Sequence, residues 1–132
     1  MIRTIGLSFA LPALALALAL AAGPAAAQTS TRWTVHEGDA LLRDFRFHTG
    51  EVMPELRIHY RTLGTPRRDA KGRIVNAVMF LHGTGGTGAQ FLRPQFADEL
   101  FGPGQPLDIG RYWIILPDSI GHGGSSKPSD GL

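Results

Sequence analysis

Two unbroken apolar runs constrain the fold of this 132-residue chain more than any other feature. One is residues 77–81, at the end of a predicted strand over 74–81, and the other is residues 112–116. Apolar residues without polar alternation are typical of strands buried on both faces, as in a parallel sheet covered by helices. Residues 94–101 lie between them and predict a helix, with Pro94 in its first turn and an apolar stripe along one side. The pattern predicts one right-handed β-α-β unit.

Two further strands are predicted upstream, over residues 40–48 and 54–63. In the second, apolar and polar residues alternate, which is typical of a half-exposed strand. Turn-forming residues over 48–54 favour an antiparallel hairpin. The predicted fold class is therefore α/β, with antiparallel opening strands that lead into a parallel sheet. If the sheet ends after one β-α-β unit, we expect its last strand, residues 112–116, to form an open apolar edge.

Residues 1–27 have the pattern of a secretory signal peptide: a basic start, a short apolar run and small residues before Gln28. We expect cleavage between Ala27 and Gln28, a polar leader over 28–39, and a periplasmic or secreted location. The membrane is then contacted only through the transient signal peptide. The alternative is an uncleaved anchor, but the run over 5–22 contains a proline and is shorter than the roughly 20 residues of a membrane span.

Composition and length exclude several classes of function. The sequence has no cysteine, which excludes a disulfide scaffold, a zinc-thiolate site and a thiol nucleophile. A formal charge of +2 does not support a nucleic-acid-binding surface. Three histidines, His36, His48 and His59, lack metal-ligand spacing, so we expect no metal and no cofactor. The length allows at most one small domain.

The first candidate site is the glycine-rich segment that follows the run over 77–81. Glycines there allow the main chain to point N–H groups into a cleft, where they stabilise the oxyanion of an acyl-transfer intermediate. The predicted donor is the backbone N–H of Thr84, and the supporting turn is formed by His82, Gly83 and Gly85.

Two alternatives stay open for this segment. A tight glycine turn without a catalytic role is one. The other is a dinucleotide site, because Gly83, Gly85 and Gly88 satisfy its fingerprint. However, the acidic residue that ends the next strand, Asp118, lies 30 residues after Gly88 rather than about 20.

The second candidate site is the loop after residues 112–116. Ligands of open α/β sheets bind at the carboxyl ends of the strands, so we expect this loop to lie beside the glycine-rich segment. Asp118 is predicted to hold loop amides, and His122 to pack or hydrogen-bond within a rigid loop; direct catalytic roles for both are the alternative. The residues assigned to this active-site edge are Asp118, Gly121, His122, Gly123 and Ser125.

These residues resemble the α/β-hydrolase superfamily. Residues 81–85 (LHGTG) look like its oxyanion turn, and 118–125 (DSIGHGGS) like the loop after its fourth strand. More specifically, residues 50–64 and 101–113 are similar to homoserine O-acetyltransferase-like members. The resemblance covers residues 40–132 and implies the N-terminal portion of an α/β-hydrolase fold, incomplete before the nucleophile elbow.

The resemblance implies acyl transfer by a serine nucleophile in a Gly-x-Ser-x-Gly elbow. That pattern does not occur in the sequence, and in this fold the acid and histidine of the triad follow the serine. We therefore expect all three residues beyond Leu132. The segment alone is expected to be inactive and to supply half an oxyanion hole.

For the whole protein, the expected activity is secreted ester or amide hydrolysis of a small acyl substrate. The first alternative is a homoserine O-acetyltransferase, which needs cytoplasmic acetyl-CoA. The second is a non-enzymatic secreted remnant or interaction fragment. The oligomeric state is not predicted.

Overall fold

The computed structural model describes residues 32–130, and the predicted signal peptide with its Ala27–Gln28 cleavage site lies outside them. The strands are β1 (His36–Arg46), β2 (Val52–Leu63), β3 (Ala77–Met79) and β4 (Trp113–Pro117), and the helix is α1 (Pro94–Leu100). Two short 3₁₀-helices span Gly88–Leu92 and Pro128–Asp130. Within residues 32–130, no helix is long and apolar enough to cross a membrane.

The predicted hairpin is confirmed. β1 and β2 pair antiparallel over almost their whole length, with Ala40 opposite Ile58 and Glu37 opposite Arg61. β1 starts at His36 rather than at residue 40, because the end of β2 offers these earlier residues a pairing partner.

The β-α-β unit is also confirmed, but the expectation that residues 112–116 form an open edge is wrong. The order is β1-β2-β4-β3, with β4 antiparallel to β2 and parallel to β3. β4 is therefore an interior strand, and β3 forms the edge. The reason is that the end of β2 pairs with β4, as in Leu63 opposite Ile114, and a pattern of apolar runs carries no information about such neighbours.

β3 is shorter and more exposed than predicted. Regular pairing covers only Ala77–Met79 of the predicted 74–81, and Met79 and Leu81 are 58% and 69% exposed. This exposure arises because β3, as an edge strand, has a neighbouring strand on one side only. β4 follows the prediction on one face, where Ile114 and Leu116 are fully buried, whereas Trp113 and Ile115 on the other face are only partly buried.

The core lies between β4 and the segment that carries the first 3₁₀-helix and α1. Its buried members are Leu63, Phe91, Leu92, Ala97, Phe101, Ile114 and Leu116. The helix begins at Pro94 as predicted and ends at Leu100, one residue earlier than predicted. Phenylalanine rings of β3's end and of this segment pack at centroid distances of 5.0–6.2 Å, as between Phe80 and Phe91. This packing holds the chain after β3 against the carboxyl end of β4.

Candidate functional site

The glycine-rich segment after β3 forms a tight β-turn over residues 83–86. The Gly86 N–H donates to the Gly83 carbonyl at 3.0 Å. Gly85 has φ of 77° while that of Thr84 is negative, which is the pattern of a type II turn. Thr84 is exposed, and its N–H donates to no group within residues 32–130. The predicted donor is thus free to bind a ligand.

Two histidines connect this turn to the loop after β4. The Ser119 N–H donates to His82 Nε2 at 2.9 Å, while His82 Nδ1 lies 2.8 Å from the Gly83 carbonyl. In the opposite direction, the Gly85 N–H donates to His122 Nε2 at 3.4 Å. The two imidazole rings pack edge to face with centroids 5.1 Å apart. The two sequence-predicted segments therefore lie side by side, as the sheet edge implies.

Asp118 is the buried centre of the site, with only 1% of its surface exposed. Its Oδ1 accepts the Gly88 N–H at 2.8 Å and Arg61 Nη1 at 3.2 Å. Its Oδ2 accepts the Gly124 N–H at 2.9 Å. One carboxylate thus joins the segment after β3, the loop after β4 and a side chain of β2.

The charge state of Asp118 follows from these contacts. Burial alone raises the pKa of its carboxyl, but the Gly124 and Gly88 amides, with the charges of Arg61 and His59, lower it. The net result is a pKa below the ordinary value of 3.8. The group is therefore an ionised anchor at neutral pH and a poor general acid.

Two serine hydroxyls attach the loop to β2. The Ser125 Oγ accepts the His59 N–H at 2.9 Å and donates to the Asp118 carbonyl at 2.6 Å. The neighbouring Ser126 Oγ accepts the Arg57 N–H at 3.0 Å. Ser125 is fully buried, so its hydroxyl continues the pairing of β2 where β4 has ended.

Two of the predicted glycines, Gly121 and Gly123, shape this loop through positive φ angles of 87° and 51°. At Gly123 a side chain is also excluded by space, because a Cβ would collide with the Asp118 carboxylate. The loop can close over Asp118 only with glycine at this position.

Sequence reasoning missed Arg61 and His59, which it assigned to the half-exposed face of a strand. Arg61 Nε donates to Glu37 at 2.7 Å, and His59 Nδ1 lies 2.8 Å from Asp39 Oδ1. The sequence does contain a signal that could have identified these two residues, namely acidic residues of β1 that pair with basic residues of β2. The acids at 37 and 39 stand directly opposite the basic residues at 61 and 59 in the antiparallel register. Within residues 32–130, no group of three or more His, Asp or Glu side chains is arranged to hold a metal ion.

Replacing Asp118 by Asn tests the buried anchor. Because folding lowers the pKa of Asp118, its ionised form contributes stability above pH 3.8 that is lost as the pH falls through the folded-state pKa. At pH 7, Asp118→Asn should lower the free energy of unfolding by about 1–3 kcal/mol, since the amide NH₂ faces another N–H donor. Urea denaturation at several pH values should show this difference shrinking as the pH falls below 3.8.

The matched control is Asp44→Asn, which changes an exposed carboxylate in β1 and should alter stability much less. A difference between Asp118→Asn and the wild type that stays constant with pH would contradict the assignment.

No protein-family profile matches the chain, but comparison with known proteins finds relatives of part of it. A probable acyltransferase of Methanothermobacter thermautotrophicus is 35% identical over 88 residues, which are 67% of this chain and 26% of that protein. The homoserine O-acetyltransferase of Thermobifida fusca is 33% identical over 89 residues, 61% of this chain and 22% of that protein. The chain thus spans about a quarter of the length of these curated relatives.

Among solved structures, esterase E22 is similar with a TM-score of 0.53 at 20% sequence identity, over 67% of this chain and 25% of that one. At this identity the likeness shows the fold alone. Together with the sequence relatives, it shows that the chain has the fold of an incomplete α/β-hydrolase and resembles the N-terminal portion of the homoserine O-acetyltransferase-like branch.

Proposed function

We propose that this segment supplies an oxyanion donor, the Thr84 N–H, to an acyl-transfer enzyme that acts on small acyl esters or amides. The observation that carries the proposal is the N–H of the exposed residue Thr84, which has no partner within residues 32–130 and lies in the turn that follows β3. The sequence relatives described as acyltransferases support the same chemistry.

The proposed mechanism uses the turn as a preorganised electrostatic site. Attack on the acyl carbonyl places negative charge on its oxygen, and the Thr84 N–H donates a hydrogen bond to that oxygen. One such donor is worth about 3–4 kcal/mol in the transition state when it is already oriented. The turn supplies the orientation, because Gly85 adopts φ of 77° and the Gly86 N–H closes the turn.

The nucleophile, its base and the second oxyanion donor are proposed to come from residues outside this sequence, which lacks the Gly-x-Ser-x-Gly pattern. In this superfamily the second donor is the N–H of the residue after the nucleophile.

Thr84→Pro removes the proposed donor and keeps the turn. A type II turn accepts proline at its second position, which Thr84 occupies, and glycine at its third. In the natural protein that carries this sequence, we expect kcat for p-nitrophenyl acetate to fall by about 10²- to 10³-fold, with KM nearly unchanged. Steady-state kinetics measures both constants, and the melting temperature checks that the fold is retained.

Thr84→Ala is the matched control, since it removes the side chain and keeps the N–H, and its kcat should stay within a few-fold of the wild type. A Thr84→Pro variant that folds and retains full kcat would overturn the proposed donor. A natural protein with no acyl-transfer activity would instead favour the non-enzymatic remnant.

For the substrate class, we propose hydrolysis of esters or amides with water as acceptor. The signal-peptide pattern over residues 1–27 supports this proposal, because acetyl-CoA is not expected outside the cytoplasm. The relative named homoserine O-acetyltransferase favours a second candidate, acetyl transfer to homoserine.

Parallel assays of the natural protein distinguish the two candidates. We expect release of p-nitrophenol from short acyl esters, and no formation of O-acetylhomoserine from acetyl-CoA and homoserine. Mass spectrometry of the homoserine reaction provides the measurement. A protein that acetylates homoserine and cleaves no ester would establish the second candidate.

Secretion is proposed from the same N-terminal pattern. The mature protein should begin at Gln28 and be recovered from the periplasm or the medium, because small residues precede that position. N-terminal sequencing of the purified natural protein tests this directly. Replacement of Ala27 by a bulky residue such as Tyr should block processing, and an N-terminus at Met1 in wild-type protein would refute cleavage.

A further inference from the structure

The proposed oxyanion turn is packed on one side only, where the Gln90 side chain lies close to Gly86. A Cβ built at Gly85 would meet nothing within 4 Å, so no neighbouring side chain presses against this side of the turn. Inside the turn there is one hydrogen bond, from the Gly86 N–H to the Gly83 carbonyl. The orientation of the Thr84 N–H therefore depends on the contacts that the turn makes with other segments.

Two imidazoles provide those contacts in a reciprocal arrangement. His82, from the segment after β3, accepts an N–H of the loop after β4, while His122, from that loop, accepts the Gly85 N–H of the turn. Each ring also has its Nδ1 near a carbonyl of its own segment, at 2.8 Å for His82 and 3.3 Å for His122. An N–H donor at Nε2 and a carbonyl at Nδ1 favour, in both rings, the tautomer that carries its proton on Nδ1.

His122 is itself well positioned by its loop. Its N–H donates to the Ser119 carbonyl at 2.9 Å, and its carbonyl accepts the Ser125 N–H at 3.0 Å. Since Ser125 is fully buried, the backbone that carries the imidazole is fixed to the interior of the protein. The ring is half-buried and packs against His82, so it has a defined place above the turn.

We propose that His122 is a positioning residue for acyl transfer, which orients the Thr84 N–H by accepting the hydrogen bond of the next amide, Gly85. The inference rests on the proposed role of Thr84. The Nε2 of His122 accepts the Gly85 N–H at 3.4 Å, so the proposed role is to position the turn and not to act as the general base.

Two substitutions of His122 distinguish the effect of its hydrogen-bond acceptor, Nε2, from the effect of its ring packing. His122→Phe keeps a ring beside His82 and removes the acceptor, while His122→Gln places an amide oxygen near the position of Nε2. In the natural protein we expect His122→Phe to lower kcat roughly 10- to 100-fold with little change in KM, as for a displaced catalytic group. His122→Gln should recover most of that loss. His48→Phe, in the exposed hairpin turn, is the control.

A double variant tests whether His122 acts through Thr84. If it does, adding His122→Phe to Thr84→Pro should lower kcat no further, because the donor is already absent. Additive losses, or a failure of His122→Gln to recover activity, would refute the positioning role while Thr84→Pro alone still supports the donor. If Thr84→Pro leaves kcat intact, the proposed function itself fails.

NMR of the imidazole nitrogens offers a readout independent of activity. We expect His122 to carry its proton on Nδ1 and to have an unprotonated Nε2. We also expect the Gly85 amide to exchange its hydrogen more slowly in the wild type than in His122→Phe. The opposite tautomer would contradict the proposal, as would unchanged exchange in a folded variant.

Discussion

The arrangement of the site depends on one buried carboxylate, that of Asp118. Three segments that are distant in sequence meet at it, through Arg61 of β2, the Gly88 amide after β3 and the Gly124 amide after β4. A carboxylate in a low-dielectric interior is costly unless its oxygens are fully paired. The oxygens of Asp118 are fully paired only when all three segments are in place. The ionised carboxylate therefore couples the positions of these segments to one another.

From Asp118, charged side chains of alternating sign extend across β2 to β1, the strand at the other edge of the sheet. Arg61 is shared between Asp118 and Glu37, and His59 lies beside Asp39. The outer acids are exposed, and such surface pairs contribute little on their own. The inner pair differs, because 1% exposure of the Asp118 side chain removes solvent screening. Among its charged side chains, the hairpin thus contributes to the site mainly through Arg61, which also pairs with Glu37.

Much of this fold could be predicted from the sequence because it follows from local patterns. The unbroken run in β4, the alternation in β2 and the proline that opens α1 each predict an element on their own segment, and all three elements are present. The burial expected of the two strands is not, since β4 is fully buried on one face only and burial along β2 does not alternate regularly. The other incorrect predictions concern which strands lie beside one another in the sheet. The run over 77–81 gives no sign that β3 is an edge strand with Leu81 69% exposed, because apolarity does not specify how many strands flank a segment.

The candidate site shows the same division. The glycines and Asp118 were found because their loops follow apolar strands, where α/β sheets bind ligands. Arg61 and His59 were missed because alternation alone assigns them to solvent, and only the pairing of β2 with β4 brings them beneath the loop. The reciprocal contacts of His82 and His122 were equally out of reach, since they depend on the distance between two loops rather than on either loop.

On the proposed function, the turn meets one of two requirements of oxyanion stabilisation, which are orientation of the donor and exclusion of water. Orientation is present in this segment, through the type II turn and the two imidazoles. Thr84 is nevertheless exposed among residues 32–130, and a solvated N–H loses most of its electrostatic advantage over water. On the proposed function, the burial that strengthens this donor must come from bound substrate and from parts of the protein outside this segment. A donor that is oriented before substrate binds fits this proposal, because it needs no reorganisation free energy at the moment of reaction.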